Sequence, residues 1–254
     1  MKARIKFTKT GSMKFIGHLD VMRFFQKAMR RAEIDIAYSQ GFNRHQLMSF
    51  AQPLGVGLTS DGEYLDVELN TADSKEAMME RINAQMNGEI EIVDFLLLED
   101  DARNAMSIVS AADYEIVLKD GYKTMTDFKQ KFDQFLTQDN IMIEKKTKKS
   151  TAVIDIKPFL YICSFDKETF MKETGRDYSK SVIQEFKSGQ AVYLRIATGS
   201  VTNIKPDLVM EAFLNYAGEE MVPFSYQYHR FDLLADVEEG NKEAGYVSLG
   251  ELKR

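Results

Sequence analysis

The chain has 254 residues, 44% of them hydrophobic and 28% charged, with a formal net charge of −6; that is enough for one or two domains with cores of their own and too apolar for wholesale disorder. No run approaches the ~18 consecutive apolar residues of a membrane span, and the opening Met1-Lys2-Ala3-Arg4-Ile5 lacks the apolar core of a signal peptide, so a cytoplasmic protein is expected. Cys163 is the single cysteine, and His18, His45 and His229 lack metal-ligand spacing, so the chain is expected to carry no disulfide, no metal and no cofactor.

Residues Ala3 to Phe7 read as a strand, with Asp20 as N-cap of the helix that follows. Val21, Phe24, Phe25, Ala28, Met29 and Ala32 recur at the spacing of one buried helical stripe. Gly-punctuated segments run to Gly57, and the alternating Tyr64 to Leu69 reads as a half-buried strand. Asp73 with Glu76 has the pattern of a capping box, Gly88 ends the second helix, and Ile90, Ile92 and Phe95 begin a last strand. The order is βαββαβ, the ferredoxin-like arrangement, with both helices on one face of an antiparallel sheet.

Beyond the polar connector around Glu99 to Asn104 the same order can be read again. Tyr114 to Leu118 is a strand, and Phe128, Phe132, Phe135 and Leu136 form a helical stripe. Ile141 to Ile143 and Ala152 to Cys163 read as two strands joined through Lys145 to Lys149, followed by a helical insertion at 166–189. Ala191 to Ala197 is a strand, Pro206 opens a helix that Gly218 closes, and Ser225 to Leu234 is the last strand. The expected fold is therefore α+β, with two tandem ferredoxin-like domains at 1–104 and 105–235 and an acidic, poorly packed tail at 236–254.

Charge is unevenly spread. The first 50 residues hold ten bases against three acids, although the chain as a whole is acidic, which suggests an anionic partner addressed locally. Arg23, Lys27, Arg30 and Arg31 share one face of the first helix, opposite its apolar stripe. Guanidinium forks match phosphates; the alternative is a solvated face that keeps the protein soluble.

The stretch from Ala37 to Gln46 mixes aromatics, amides, a glycine and cations without core periodicity, and reads as a displayed loop. Tyr38 and Phe42 could stack on unpaired bases, Gln40 and Asn43 read base edges and Arg44 hold a phosphate; alternatively, the loop is a turn whose aromatics pack inward. His18 and His45 could act as acid and base on a ribose hydroxyl if the fold brought them together. Asp61, Glu63, Asp66 and Glu68 read as a solvent-facing strand side, and Lys145 to Lys149 as a charged hairpin tip or a second phosphate contact.

Three segments carry a family resemblance: Phe15-Ile16-Gly17-His18-Leu19-Asp20, Ala37-Tyr38-Ser39-Gln40-Gly41-Phe42-Asn43, and Phe50-Ala51-Gln52-Pro53-Leu54-Gly55-Val56-Gly57 followed by Gly62-Glu63-Tyr64-Leu65-Asp66. With them the chain resembles the radical SAM-linked proteins (domain of unknown function 2344), an uncharacterised bacterial family encoded beside, or fused behind, a radical SAM enzyme. The resemblance implies an accessory role to that partner, which would hold the cluster and the radical chemistry. Family members usually carry prolines where this chain has Arg44 and Gln46. The element order also resembles the tandem ferredoxin-like endoribonucleases of CRISPR systems, at the level of fold alone. Three functions follow as expectations: a non-catalytic RNA-binding accessory protein, a protein-interaction subunit without RNA contact, and a metal-independent endoribonuclease using His18 and His45.

Overall fold

The computed structural model describes residues 1–146, 151–181, 183–238 and 241–253. In chain order the elements are β1 (Lys2–Lys9), α1 (His18–Arg31), β2 (Met48–Phe50), β3 (Thr59–Glu68), α2 (Lys75–Asn83), β4 (Ile92–Leu97), α3 (Ala105–Ile108), β5 (Val109–Leu118), α4 (Phe128–Leu136), β6 (Met142–Lys146), β7 (Thr151–Asp155), β8 (Leu160–Ser164), α5 (Lys167–Thr174), β9 (Ala191–Ala197), α6 (Pro206–Tyr216), β10 (Tyr226–Glu238) and β11 (Asn241–Ser248). The protein is mixed α+β and its sheet is mostly antiparallel. Two compact units divide it: Met1–Ala111 with Gly199–Val201 and Arg230–Arg254, and Ala112–Thr198 with Thr202–His229.

In the first unit β1 lies between β4 and β3, and β2 pairs with β3. The alternation of β1 sends Ala3, Ile5 and Phe7 to one face, where they meet Val21, Phe25 and Met29 of α1 and Met78 and Ile82 of α2 in one core. Phe25 packs edge-on against Phe7 with centroids 4.7 Å apart, and Phe50 closes the aromatic group. α1 begins earlier than expected. Its hydrogen bonding starts at the Gly17 carbonyl, which accepts from Asp20 N and Val21 N, so Gly17 is the N-cap. Asp20 lies inside the first turn and pairs with Arg23 at 3.0 Å. Ser74, one residue after the expected Asp73, caps α2 by accepting from Ala77 N.

The other face of this sheet is polar and buried. Arg4 grips Asp66 through two bonds of 2.8 and 3.1 Å and donates to the carbonyls of Leu249 and Arg103. Tyr64 Oη donates to Asp232 at 2.6 Å, and Ser248 Oγ donates to the other oxygen of that carboxylate. Glu63, on the helix side, is held by Arg230. The expected solvent-facing acids are therefore divided: Glu63 and Asp66 are buried ion-pair members, and only Glu68 is exposed. A buried carboxylate needs such a partner, because its desolvation otherwise outweighs folding gains of the same order.

The expected loose tail is structured in its described part. β11 pairs with β10 through Leu234↔Ser248, Ala235↔Val247 and Asp236↔Tyr246, and Leu249 is completely buried. Backbone pairing holds this strand although its sequence has little apolar periodicity.

In the second unit the strand order is β10-β5-β9-β8, β10 entering it only through Tyr226 to His229 while its remainder from Arg230 belongs to the first unit. Phe128, Phe132 and Phe135 of α4 pack on Phe213 of α6, the nearest ring centroids 4.5 Å apart. β6 and β7 form a separate antiparallel hairpin. The run expected as one strand from Ala152 to Cys163 splits at Lys157–Phe159, where a 3-10 turn closes through Phe159 N to the Ile156 carbonyl; Pro158 has no N–H to give a ladder. Among the described residues of the 166–189 insertion the helical part is α5, capped by Asp166 and ended by Gly175 at φ 68°. Its Tyr178 Oη donates to Asp113, which also accepts both prongs of Arg195 at 2.7 Å. The Lys145 to Lys149 tip lies outside the described residues, apart from the backbone of Lys145 and Lys146 in β6.

Candidate nucleic-acid interface

α1 is amphipathic because its apolar residues recur every three or four positions, and burying them turns the intervening cations outward. Val21, Phe25, Ala28 and Met29 are buried, whereas Arg23, Lys27, Arg30 and Arg31 are exposed. Among the described residues Arg23 has a carboxylate partner, Asp20, and the side chains of Lys27, Arg30 and Arg31 form no hydrogen bond or ion pair. An exposed i,i+3 pair contributes little, so all four cations remain available to an anion. Arg30 and Arg31 also oppose the negative end of the helix dipole.

The loop after α1 is a narrow hairpin fastened to the end of β3. Ala37 N donates to the Glu68 carbonyl, Glu68 N to the Leu47 carbonyl, and Leu47 N to the Ala37 carbonyl. Tyr38 pairs with Gln46, Ser39 N donates to the His45 carbonyl, and Gly41 makes the turn at φ 103°. The tip is thereby lifted into solvent. Phe42 is fully exposed, Gln40, Asn43 and Arg44 are exposed, and Tyr38 is 40% exposed. Its phenol oxygen lies 3.4 Å from Gln46 Nε2. The aromatic at the tip does not pack inward.

His18 and His45 are not brought together. His18 lines a cavity with Glu63 of β3, whereas the hairpin carrying His45 is fastened at Glu68, five positions further and roughly 17 Å along an extended strand. The His45 ring is held inside its own turn, with Nδ1 2.9 Å from Ser39 Oγ and 3.1 Å from the Asn43 carbonyl. Among the described residues no group of three or more His, Cys, Asp or Glu side chains is placed to hold a metal ion. No helix there is long and apolar enough to cross a membrane.

Two of the segments that carry the family resemblance meet at the start of α1. Gly57 N donates to the Lys14 carbonyl, Lys9 Nζ donates to the Ile16 carbonyl, and Phe50, Pro53, Leu54 and Glu63 line the cavity that His18 overlooks. Sequence reasoning named His18 as a candidate, read Glu63 as a solvent-facing acid and did not single out Lys9. Lys9 ends a strand and Glu63 alternates with acids, so each looks solvated locally; the usable signal was that both lie in or beside the resembling segments.

These features define a mixed α+β protein that exposes a cationic helix face and an aromatic hairpin tip on one unit. The family model described as "Uncharacterized protein conserved in bacteria (DUF2344)" matches residues 2–206, and the chain belongs to that family. None of the curated proteins matches it.

Proposed function

We propose that the protein is a non-catalytic RNA-binding accessory factor that works with a radical SAM enzyme in the cytoplasm. The observation that carries this reading is the set of three exposed cations, Lys27, Arg30 and Arg31, without partners among the described residues, on the unit that also lifts Phe42 into solvent. Cations without internal carboxylates suit a phosphate backbone, and an aromatic face suits an unpaired base. Arg23 and Arg44 extend the phosphate-contact set, with Tyr38, Gln40 and Asn43 as base contacts. The radical SAM partner comes from the family resemblance. A lone cysteine agrees with it, since one thiolate cannot hold the cluster.

The reading extends to the fold. Two tandem ferredoxin-like domains are supported by the strand order of each unit: β4-β1-β3 with β2 on β3 in the first, and β10-β5-β9-β8 in the second. In the second, β5, β8, β9 and β10 act as the four strands of the motif, while the β6-β7 hairpin and α5 are insertions.

A second reading, a protein-interaction subunit without RNA contact, is favoured by Phe15, Leu19 and Val56, large apolar residues that stay exposed in the resembling segments. The endoribonuclease reading needs His18 and His45 together, and their separation removes its acid-base pair. Affinity capture of the tagged protein from cells after crosslinking, with the RNA sequenced and the proteins identified, separates the two remaining readings. Recovery of a radical SAM enzyme with a defined RNA is expected; recovery of the enzyme without RNA supports the second reading.

A further inference from the structure

In the second unit the β6-β7 hairpin forms a sheet of its own, and its ladder fixes which backbone groups face outward. Ile156 N donates to the Ile141 carbonyl, and the register sets Ile143 opposite Ile154 and Lys145 opposite Ala152. An antiparallel ladder bonds alternate residues. The backbone N–H and C=O of Met142 and Glu144 therefore point away from β7, and among the described residues those of Met142 have no partner.

That edge borders a cavity of about 600 Å³, inside the ~300–1,000 Å³ range of ligand sites. Ile141, Met142, Ile143 and Glu144 all line it. Strand side chains alternate between two faces, so four successive residues meet one space along the edge of the strand. The facing wall is α6, whose Leu208, Glu211, Ala212 and Asn215 fall at i, i+3, i+4 and i+7 on one helical face. Phe135 and Tyr216, with ring centroids 5.8 Å apart, add aromatic surface to the lining. Its charge is one-sided: Glu144 and Glu211 line the space, and among the described residues no lysine or arginine does. Glu211 is exposed, and its carboxylate makes no hydrogen bond or ion pair among those residues.

We infer that this groove binds an extended peptide of a partner protein, one whose basic residues alternate with aliphatic ones and which adds as a strand to the free edge of β6. An edge with unpaired backbone groups is a template for such addition, and main-chain bonds to Met142 and Glu144 supply the pairing. Glu211, with Glu144, meets the basic residues, and the apolar surface of Leu208 and Phe135 takes the aliphatic ones. An acidic wall repels a polyanion, so the groove is not a second RNA contact. Peptide binding here does not require RNA on the first unit.

The test is fluorescence anisotropy at low salt with a fluorescein-labelled peptide of alternating lysine and valine, on the full chain, Glu211→Gln and Met142→Pro. Glu211 is exposed on a helix, and the Met142 N–H lies outside the ladder at the first position of β6, where proline is tolerated, so both variants are expected to keep the wild-type Tm. The wild type is expected to bind the peptide, Glu211→Gln to bind it several-fold more weakly, and Met142→Pro roughly tenfold more weakly. A glutamate-valine peptide, and the lysine-valine peptide N-methylated along its backbone, are expected not to bind. Equal binding by all three proteins would reduce the effect to general attraction by an acidic chain and overturn the site, as would no binding by the wild type. Equal binding of the N-methylated form would also overturn it, leaving the groove to a small cation such as a polyamine. Sedimentation of the free protein is expected to show a monomer; a dimer that Met142→Pro dissociates would give the edge to a second copy of this chain and overturn the peptide in the same way.

Discussion

Glu63 and Arg230 are 167 positions apart in the chain, yet they close a two-pronged ion pair inside the first unit, with Nε to Oε1 at 2.7 Å and Nη2 on Oε2. Removing one partner strands the other charge. Glu63→Gln is expected to destabilise that unit by about 3–5 kcal/mol, whereas Glu63→Leu combined with Arg230→Met recovers most of the loss. Urea unfolding of the two variants checks this, and equal stabilities would contradict it.

Gly62 makes the closest backbone approach in the same unit. A Cβ there would lie 2.6 Å from the Phe231 carbonyl oxygen and 2.8 Å from Asp232 Cα, both backbone atoms that cannot swing away. Gly62→Ala is expected to cost about 1–3 kcal/mol, which calorimetry would record as a Tm lower by roughly 2–4 °C for each kcal/mol.

Phe42 provides the opposite case. Because its ring is fully exposed, Phe42→Ala is expected to leave Tm unchanged while weakening single-stranded RNA binding by about 1–3 kcal/mol. Fluorescence anisotropy with a labelled oligoribonucleotide measures the second quantity; unchanged affinity would remove the stacking role.

Asp166 ties stability to pH in the second unit. Its carboxylate accepts from Thr169 N at 2.7 Å, and that backbone bond, with a side-chain bond from Thr169, holds its pKa below the ordinary range. A depressed native pKa means that the stabilisation is complete above the unfolded value of about 3.9 and is lost as pH falls through the native value. An NMR titration of Asp166 is expected to show a midpoint below about 3.9. Asp166→Asn keeps an acceptor at the cap and is expected to remove this pH dependence from hydrogen exchange at the start of α5.

Periodic elements were legible in the sequence. The stripe from Val21 to Met29, the α4 phenylalanines and the Pro206 start of α6 all rest on spacing or local chemistry, and the structure has helices there. What failed depended on distant partners. Asp66 looks solvated until Arg4, 62 positions away, is beside it, and the weakly periodic end of the chain becomes strand β11 only because β10 is there to pair with it. The Gly17 start of α1 was hidden because a glycine cap leaves no side-chain signature, while Asp20 carried the commoner one. Exposed cations on α1 followed from pattern alone, whereas an outward Phe42 was one of two readings the loop allowed; the Lys9, Glu63 and Arg230 cluster was not legible, since its members come from β1, β3 and β10.

The account depends most on the cations of α1 meeting a polyanion. The most direct measurement is a filter-binding salt titration of single-stranded RNA with the wild type and with Lys27, Arg30 and Arg31 all replaced by Ala. The wild type is expected to bind at low salt, with log K falling linearly in log salt. The triple variant is expected to bind more weakly, its slope shallower by about 0.7 for each phosphate that it no longer neutralises. No binding by the wild type at low salt, or identical slopes for the two proteins, would contradict it.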